Sequence, residues 1–178
     1  EWVFDRNYNS WFYIKPGGTY ASREWKGNYY LKAGGYMAKS EFIYGPNYKA
    51  TYYLKEDGAY VKNQWLQIKG KWYHFRPYGE LDTNKWIGSY YVKEDGTMAE
   101  SEWIYDKNYG GKFYLQADGV YARNIVTIDG KKHAFQENGL SISEVPAPVN
   151  YGNYKNVVFL DPGHGGHDPG AVYNGLRE

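Results

Sequence analysis

The chain has 178 residues, no cysteine and a formal charge of +1, yet 22 Tyr, 7 Trp and 7 Phe make 20% of it aromatic. Interspersed acidic and basic residues leave no basic stripe for a phosphate backbone, which excludes nucleic acid as a partner, and there is no run of about 18 apolar residues of the kind a membrane-spanning helix needs. The absence of cysteine rules out a disulfide framework, and the scarcity of Leu, Ile and Val means that burial must come from rings on short strands.

An aromatic residue, a Tyr-rich strand and a Gly turn recur along the chain in units that open at Trp2, Trp25, Phe42, Trp65, Trp86 and Trp103. The spacing alternates between about 17 and 23 residues, and a seventh, degenerate unit opens near Ile125-Val126, as terminal caps of repeat arrays do. Each unit reads as a hairpin: in the fourth, Trp65-Leu66-Gln67-Ile68 meets the turn Lys69-Gly70 and returns as Trp72-Tyr73-His74-Phe75. A second turn, such as Gly17-Gly18, Gly34-Gly35, Asp57-Gly58, Asp95-Gly96 or Asp118-Gly119, hands the chain to the next unit. A lone hairpin is marginal in water, so the units must cover one another's rings. The expected fold is therefore all-β, a solenoid of stacked hairpins over residues 1–144.

Composition changes at Val145-Pro146-Ala147-Pro148-Val149, and residues 145–155 read as an extended linker. Beyond it, Asn156 to Leu160 has the pattern of a buried parallel strand. It runs into the small-residue loop Asp161-Pro162-Gly163-His164-Gly165-Gly166, so residues 156–178 read as the opening of a different, α/β domain.

A unit with Trp on its outgoing strand, three aromatic positions on its returning strand and Gly-x-Met or Gly-x-Tyr after the next turn resembles the choline-binding repeats of pneumococcal surface proteins and lysins. The resemblance implies aromatic cages for choline between consecutive hairpins. It carries over as Trp2, Trp11 and Tyr20 closed by Tyr30, and as Trp65, Trp72 and Leu81 closed by Tyr91. Two partial cages follow: Trp25, Met37 and Tyr53, where Asn28 replaces a ring, and Trp86, Met98 and Tyr114, where Ser89 does. Phe42 with Thr51, Tyr60 and His74, and Trp103 with Lys112, Tyr121 and Ala134, make poorer sets. Middle residues of the returning strand, such as Phe12 and Tyr73, read as core. A quaternary ammonium cannot donate hydrogen bonds, so ring faces are what attract it, at roughly 0.5 to 2 kcal/mol per well-placed ring. Each site should then reach only about millimolar affinity, with several sites on one polymer adding about 10² to 10⁴ in avidity.

The resemblance implies a non-catalytic protein that is secreted and held non-covalently on the bacterial cell wall by the phosphocholine of teichoic and lipoteichoic acids. An adhesin role toward host matrix proteins and a homodimer through a solenoid edge are further expectations. Residues 158–171, with Gly175-Leu176-Arg177-Glu178, resemble the start of zinc-dependent N-acetylmuramoyl-L-alanine amidases, in which His164 and Glu178 would be zinc ligands. Catalytic zinc needs a third ligand and a general base, which come later in such enzymes. No productive zinc site and no cofactor are therefore expected here, with choline as ligand only. Two other readings stay open: a targeting module of an amidase, and a glucan-binding repeat module.

Overall fold

The computed structural model describes residues 1–142; the expected linker over 145–155, the strand and loop over 156–178, and the vestigial ligands His164 and Glu178 lie outside the described residues. The chain divides into a unit Glu1–Ser143 and a unit Glu144–Glu178. In the first, fourteen strands pair in sequence order into seven separate antiparallel hairpins. These are β1 (Trp2–Asp5) with β2 (Ser10–Tyr13), β3 (Glu24–Lys26) with β4 (Tyr29–Leu31), and β5 (Glu41–Gly45) with β6 (Ala50–Leu54). Then come β7 (Gln64–Ile68) with β8 (Lys71–Phe75), β9 (Lys85–Ile87) with β10 (Tyr90–Val92), β11 (Glu102–Asp106) with β12 (Gly111–Leu115), and β13 (Asn124–Ile128) with β14 (Lys131–Phe135). The stacked-hairpin architecture expected from the repeat is the one observed.

Turn chemistry sets hairpin length. Lys69-Gly70 and Asp129-Gly130 have positive φ at both central positions, the two-residue turn whose twist matches the flanking strands. Hairpins 1, 3 and 6 carry longer loops; in the sixth, Asp106 Oδ1 accepts the Asn108 and Tyr109 amides at 2.7 and 3.3 Å.

The hairpins are joined by a stitch that follows each second turn. In hairpin 2 the amide of Met37 donates to the Trp11 carbonyl of hairpin 1 at 3.1 Å, while the amide of Ala38 donates to Tyr30 of its own hairpin at 2.8 Å. The same alternation recurs at every later junction among the described residues: Tyr60 to Asn28 and Val61 to Tyr53, Leu81 to Thr51 and Asp82 to His74, Met98 to Trp72 and Ala99 to Tyr91, Tyr121 to Ser89 and Ala122 to Tyr114, Ser141 to Lys112 and Ile142 to Ala134. Successive residues of an extended segment point opposite ways. One bond therefore grips the preceding hairpin and the next closes the residue's own.

The core is built from strand-end and stitch side chains gathered in small clusters. Leu31, Leu54, Phe75, Val92 and Leu115, each at the end of a returning strand, are fully buried, as are Ala21, Ala38, Ala99 and Ala122 from the stitches. Burying each of the larger ones stabilises the array by about 1.5–3 kcal/mol. The stitch position holds alanine in hairpins 1, 2, 5 and 6 and Val61 in hairpin 3; in hairpin 4 it holds Asp82, which is 1% exposed. His74, standing where most hairpins have Tyr, meets Asp82 Oδ2 at 2.6 Å, and Arg76 Nε donates to Oδ1 at 2.6 Å. Burial works to raise the Asp82 pKa, but the hydrogen bonds from Arg76 and His74, with the charge of Lys85, outweigh it and hold the carboxyl below its usual range.

Candidate ligand cages between hairpins

Each outgoing-strand aromatic is gripped by two rings. Trp2 has its own hairpin's Tyr13 at 5.4 Å and the next hairpin's Tyr29 at 5.2 Å. Trp25 has Tyr30 and Tyr52, Phe42 has Tyr53 and Tyr73, Trp65 has His74 and Tyr90, Trp86 has Tyr91 and Phe113, and Trp103 has Tyr114 and His133, all at 4.8–5.5 Å between centroids. The rings meet edge-on or tilted, as their quadrupoles favour. This aromatic spine repeats as one group of rings at each interface from Trp2 to Trp103.

Cavities open where two further residues join the spine. Between hairpins 1 and 2, a cavity of about 320 Å³ is lined by Trp2, Trp11, Tyr29 and Met37, with Asp57 at its rim. Between hairpins 4 and 5, one of about 290 Å³ is lined by Trp65, Trp72, Tyr90 and Met98, with Asp118 in the same place. Two Trp, one Tyr and one Met make an apolar box with negative ring faces and a carboxylate outside it. Such a box suits a small organic cation that has no hydrogens to donate.

The geometry reassigns several residues. Tyr20 and Leu81 do not line the cavities: the stitch carries Leu81 back to Thr51 of hairpin 3, Tyr20 bridges to Ile14 of its own hairpin, and the residue that closes over Trp11 is Met37 and that over Trp72 is Met98. Tyr20 packs instead near Phe12, at 6.5 Å. Tyr30, Tyr53, Tyr91 and Tyr114 each lie opposite the outgoing aromatic of their own hairpin, at Trp25, Phe42, Trp86 and Trp103. Strand alternation therefore gives the cavity wall to the neighbouring position, Tyr29 or Tyr90, a middle residue of the returning strand that its sequence position assigns to the core. Trp25 and Met37, expected to share a partial cage, face opposite interfaces, and so do Trp86 and Met98. The signal that was available is register: Trp2 pairs with Tyr13 and Trp65 with His74, which makes the middle ring face outward to the previous unit.

Both methionines lie against glycine. A Cβ at Gly58 would fall 2.6 Å from the Met37 methyl, and one at Gly119 would fall 2.5 Å from that of Met98. The third hairpin along thus seats the methionine that closes each cage, and only glycine permits the approach.

A third cavity, about 390 Å³, lies between hairpins 2 and 3, lined by Trp25, Gly27, Tyr48, Tyr52, Tyr60, Tyr78 and Glu80. Trp25 stands 5.0 Å from Tyr52 and 5.8 Å from Tyr60. Burial first, and then the charge of Glu80, raise the Tyr52 pKa.

A model described as "Choline-binding repeat" matches residues 19–60 and again 80–121, and one described as "Putative cell wall binding repeat" matches residues 63–81. The chain belongs to the choline-binding repeat family. Among solved structures it is similar to the modular autolysin LytC of Streptococcus pneumoniae, at 46% identity and a TM-score of 0.76, over 80% of this chain and 33% of that one. It is also similar to choline binding protein F of the same organism, at 26% identity and a TM-score of 0.60, over 80% and 47% of the two chains. A curated relative in S. pneumoniae, named "Putative endo-beta-N-acetylglucosaminidase", is 40% identical over 122 residues, 68% of this chain. The chain spans only 12% of that relative's length.

Proposed function

We propose that the cages at Trp2, Trp11, Tyr29 and Met37 and at Trp65, Trp72, Tyr90 and Met98 each take the trimethylammonium head of one choline, holding the chain non-covalently on the teichoic and lipoteichoic acids of a bacterial wall. The observation that carries this reading is the repetition of one four-residue box, closed the same way, at two interfaces three hairpins apart. Three rings per box correspond to a few kcal/mol and about millimolar affinity at one site. Two boxes on one polymer strengthen retention through effective concentration rather than new contacts. The array is a binding module, and the names of its relatives, an autolysin and a glucosaminidase, support a role in delivering a wall-acting catalytic domain to its substrate.

The test is retention on an immobilised quaternary amine with elution by free choline. Trp11→Ala with Trp72→Ala should abolish retention while the far-ultraviolet and thermal signatures of folding persist. Undiminished retention of that folded double variant would remove the cage assignment, and binding to dextran without response to choline would favour the glucan reading instead.

A further inference from the structure

The cavity between hairpins 2 and 3 differs in kind from the two cages. It has no second Trp and no Met, because Asn28 stands at the position of Trp11 and Tyr60 at that of Met37. In their place it has Glu80, whose Oε2 is buried without a hydrogen-bond partner. An unpaired carboxylate oxygen in an aromatic cavity is costly, and the cost is removed by a donor, most effectively a charged one. The nearest guanidinium does not serve, since Arg76 is committed to Asp82 at 2.6 Å.

The equivalent interface between hairpins 5 and 6 shows the same backbone with this chemistry erased. There Leu140 holds the place of Glu80 and, like Trp86, packs against the buried cluster of Ala99, Phe113 and Leu115. Phe113 stands where hairpin 3 has Tyr52, and Asp106 accepts the Trp86 indole hydrogen at 2.8 Å where hairpin 3 has only Gly45 beside Trp25. The Glu80 carboxylate, the Tyr52 hydroxyl and the free Trp25 indole edge thus have no equivalent at the counterpart, where the Asp106 carboxylate is spent on the indole. The fold does not require them.

We propose that the cavity at Trp25, Tyr52, Tyr60 and Glu80 is a second kind of site, selective for organic ammonium ions that carry N–H donors, in contrast to the quaternary ions suited to the cages. Trp25, Tyr52 and Tyr60 meet at 67–87° to one another. They form a corner that surrounds a compact cation, whereas a sugar ring stacks on an open flat face. Lys62 places its ammonium 5.8 Å from the centre of the Tyr60 ring, an example within the chain of a primary ammonium on that wall. Quaternary choline gains the ring faces but leaves Glu80 Oε2 unpaired; an ammonium bearing hydrogens gains both.

The experiment is a titration of the whole chain with ethanolamine and, separately, choline, followed by the indole N–H resonances of Trp25, Trp2 and Trp65. At Trp25, ethanolamine should bind about tenfold more tightly than choline, the factor expected for one charge-assisted hydrogen bond; at Trp2 and Trp65 choline should be preferred. Glu80→Gln should erase the preference at Trp25 alone. Glu80→Leu, which installs the residue used at the sister interface, should close the cavity and silence Trp25 with the choline response at Trp2 intact. Equal or tighter choline binding at Trp25, a preference that survives Glu80→Gln, or a larger response to N-acetylglucosamine than to either amine would each overturn the proposal. The Trp2 and Trp65 signals report on the cages separately, so failure there does not mask the result at Trp25.

Discussion

The interfaces between hairpins 1 and 2 and between hairpins 3 and 4 are built on the same spine and the same stitch, yet the first holds an open cage and the second does not carry its walls. Trp2, Trp11, Tyr29 and Met37 at one correspond to Phe42, Thr51, Tyr73 and Leu81 at the other. The outgoing aromatic and the middle ring are kept, and the two positions that change are Trp11 to Thr51 and Met37 to Leu81, the latter packed against the cluster of Val61, Ile68 and Phe75. Trp11 is 42% exposed and Trp72 36%, whereas Trp2 and Trp65 are wedged between rings of two hairpins. On the proposed function, folding and binding draw on neighbouring but separable residues. The array can lose a site without losing an interface.

The sharpest way to break this comparison is to cut the spine. Trp65→Ala should lower unfolding free energy by about 3 kcal/mol, the low end for a large aromatic replaced by alanine, as read from urea melts, and should abolish the nearby cage. A loss under about 1 kcal/mol would show that Trp65 serves only the ligand. Next in size is the exchange peculiar to hairpin 4. Asp82→Asn should cost about 2 kcal/mol by weakening the Arg76 and His74 bonds at a site 1% exposed. Because the folded-state pKa of Asp82 lies below its ordinary value, its contribution is complete above about pH 4 and is lost as pH falls through the depressed folded value. His74→Tyr with Asp82→Ala copies the Tyr91–Ala99 pairing of hairpin 5. It should restore stability at neutral pH and remove this part of the acid sensitivity, which an unchanged pH profile would contradict.

These residues also show what could be read without coordinates. The period, the hairpins and the outgoing aromatics are local: a Gly turn between two aromatic strands states its own pairing. Trp2, Trp11, Trp65 and Trp72 were accessible in the same way, since each needs only its own unit. The closing residues were not, because which hairpin receives Met37 depends on the stitch bond to Trp11, a contact between units with no local signature. A one-residue shift then exchanged Tyr29 for Tyr30, as expected where successive side chains point to opposite faces. Glu80 was missed for a related reason. It follows a turn in hairpin 4, reads as solvated, and reaches a cavity two interfaces from the Trp of its own unit.

Trimming a cage without touching the spine has a smaller effect. Trp72→Ala should weaken choline at the second cage about tenfold, roughly one strong cation–π contact, with stability changed by less than about 1 kcal/mol. Calorimetric titration and urea melts on one preparation measure both. A large stability loss would mean that the exposed Trp also supports the fold.

The smallest effect, and the most direct test of separability, is to build a cage where none is complete. Thr51 pairs across hairpin 3 with Tyr44, as Trp11 pairs across hairpin 1 with Phe4. Phe4 lies 5.3 Å from the Trp11 ring, so Tyr44, 59% exposed, is placed to back a tryptophan in the same manner. The Leu81 amide already donates to the Thr51 carbonyl at 2.8 Å, the stitch that holds Met37 over Trp11, and Gly96 already receives the Leu81 side chain as Gly58 receives Met37. Thr51→Trp with Leu81→Met should therefore add one choline equivalent of about millimolar affinity, seen as a new response of the Tyr73 ring in a nuclear magnetic resonance titration. If the double variant folds and no third site appears, Phe42 is an inadequate wall, and the cage depends on the outgoing Trp as well as on the two positions that the comparison singles out. Phe42→Trp in the same background would then decide between the two accounts, since that single further change makes the four residues match the set at hairpins 4 and 5.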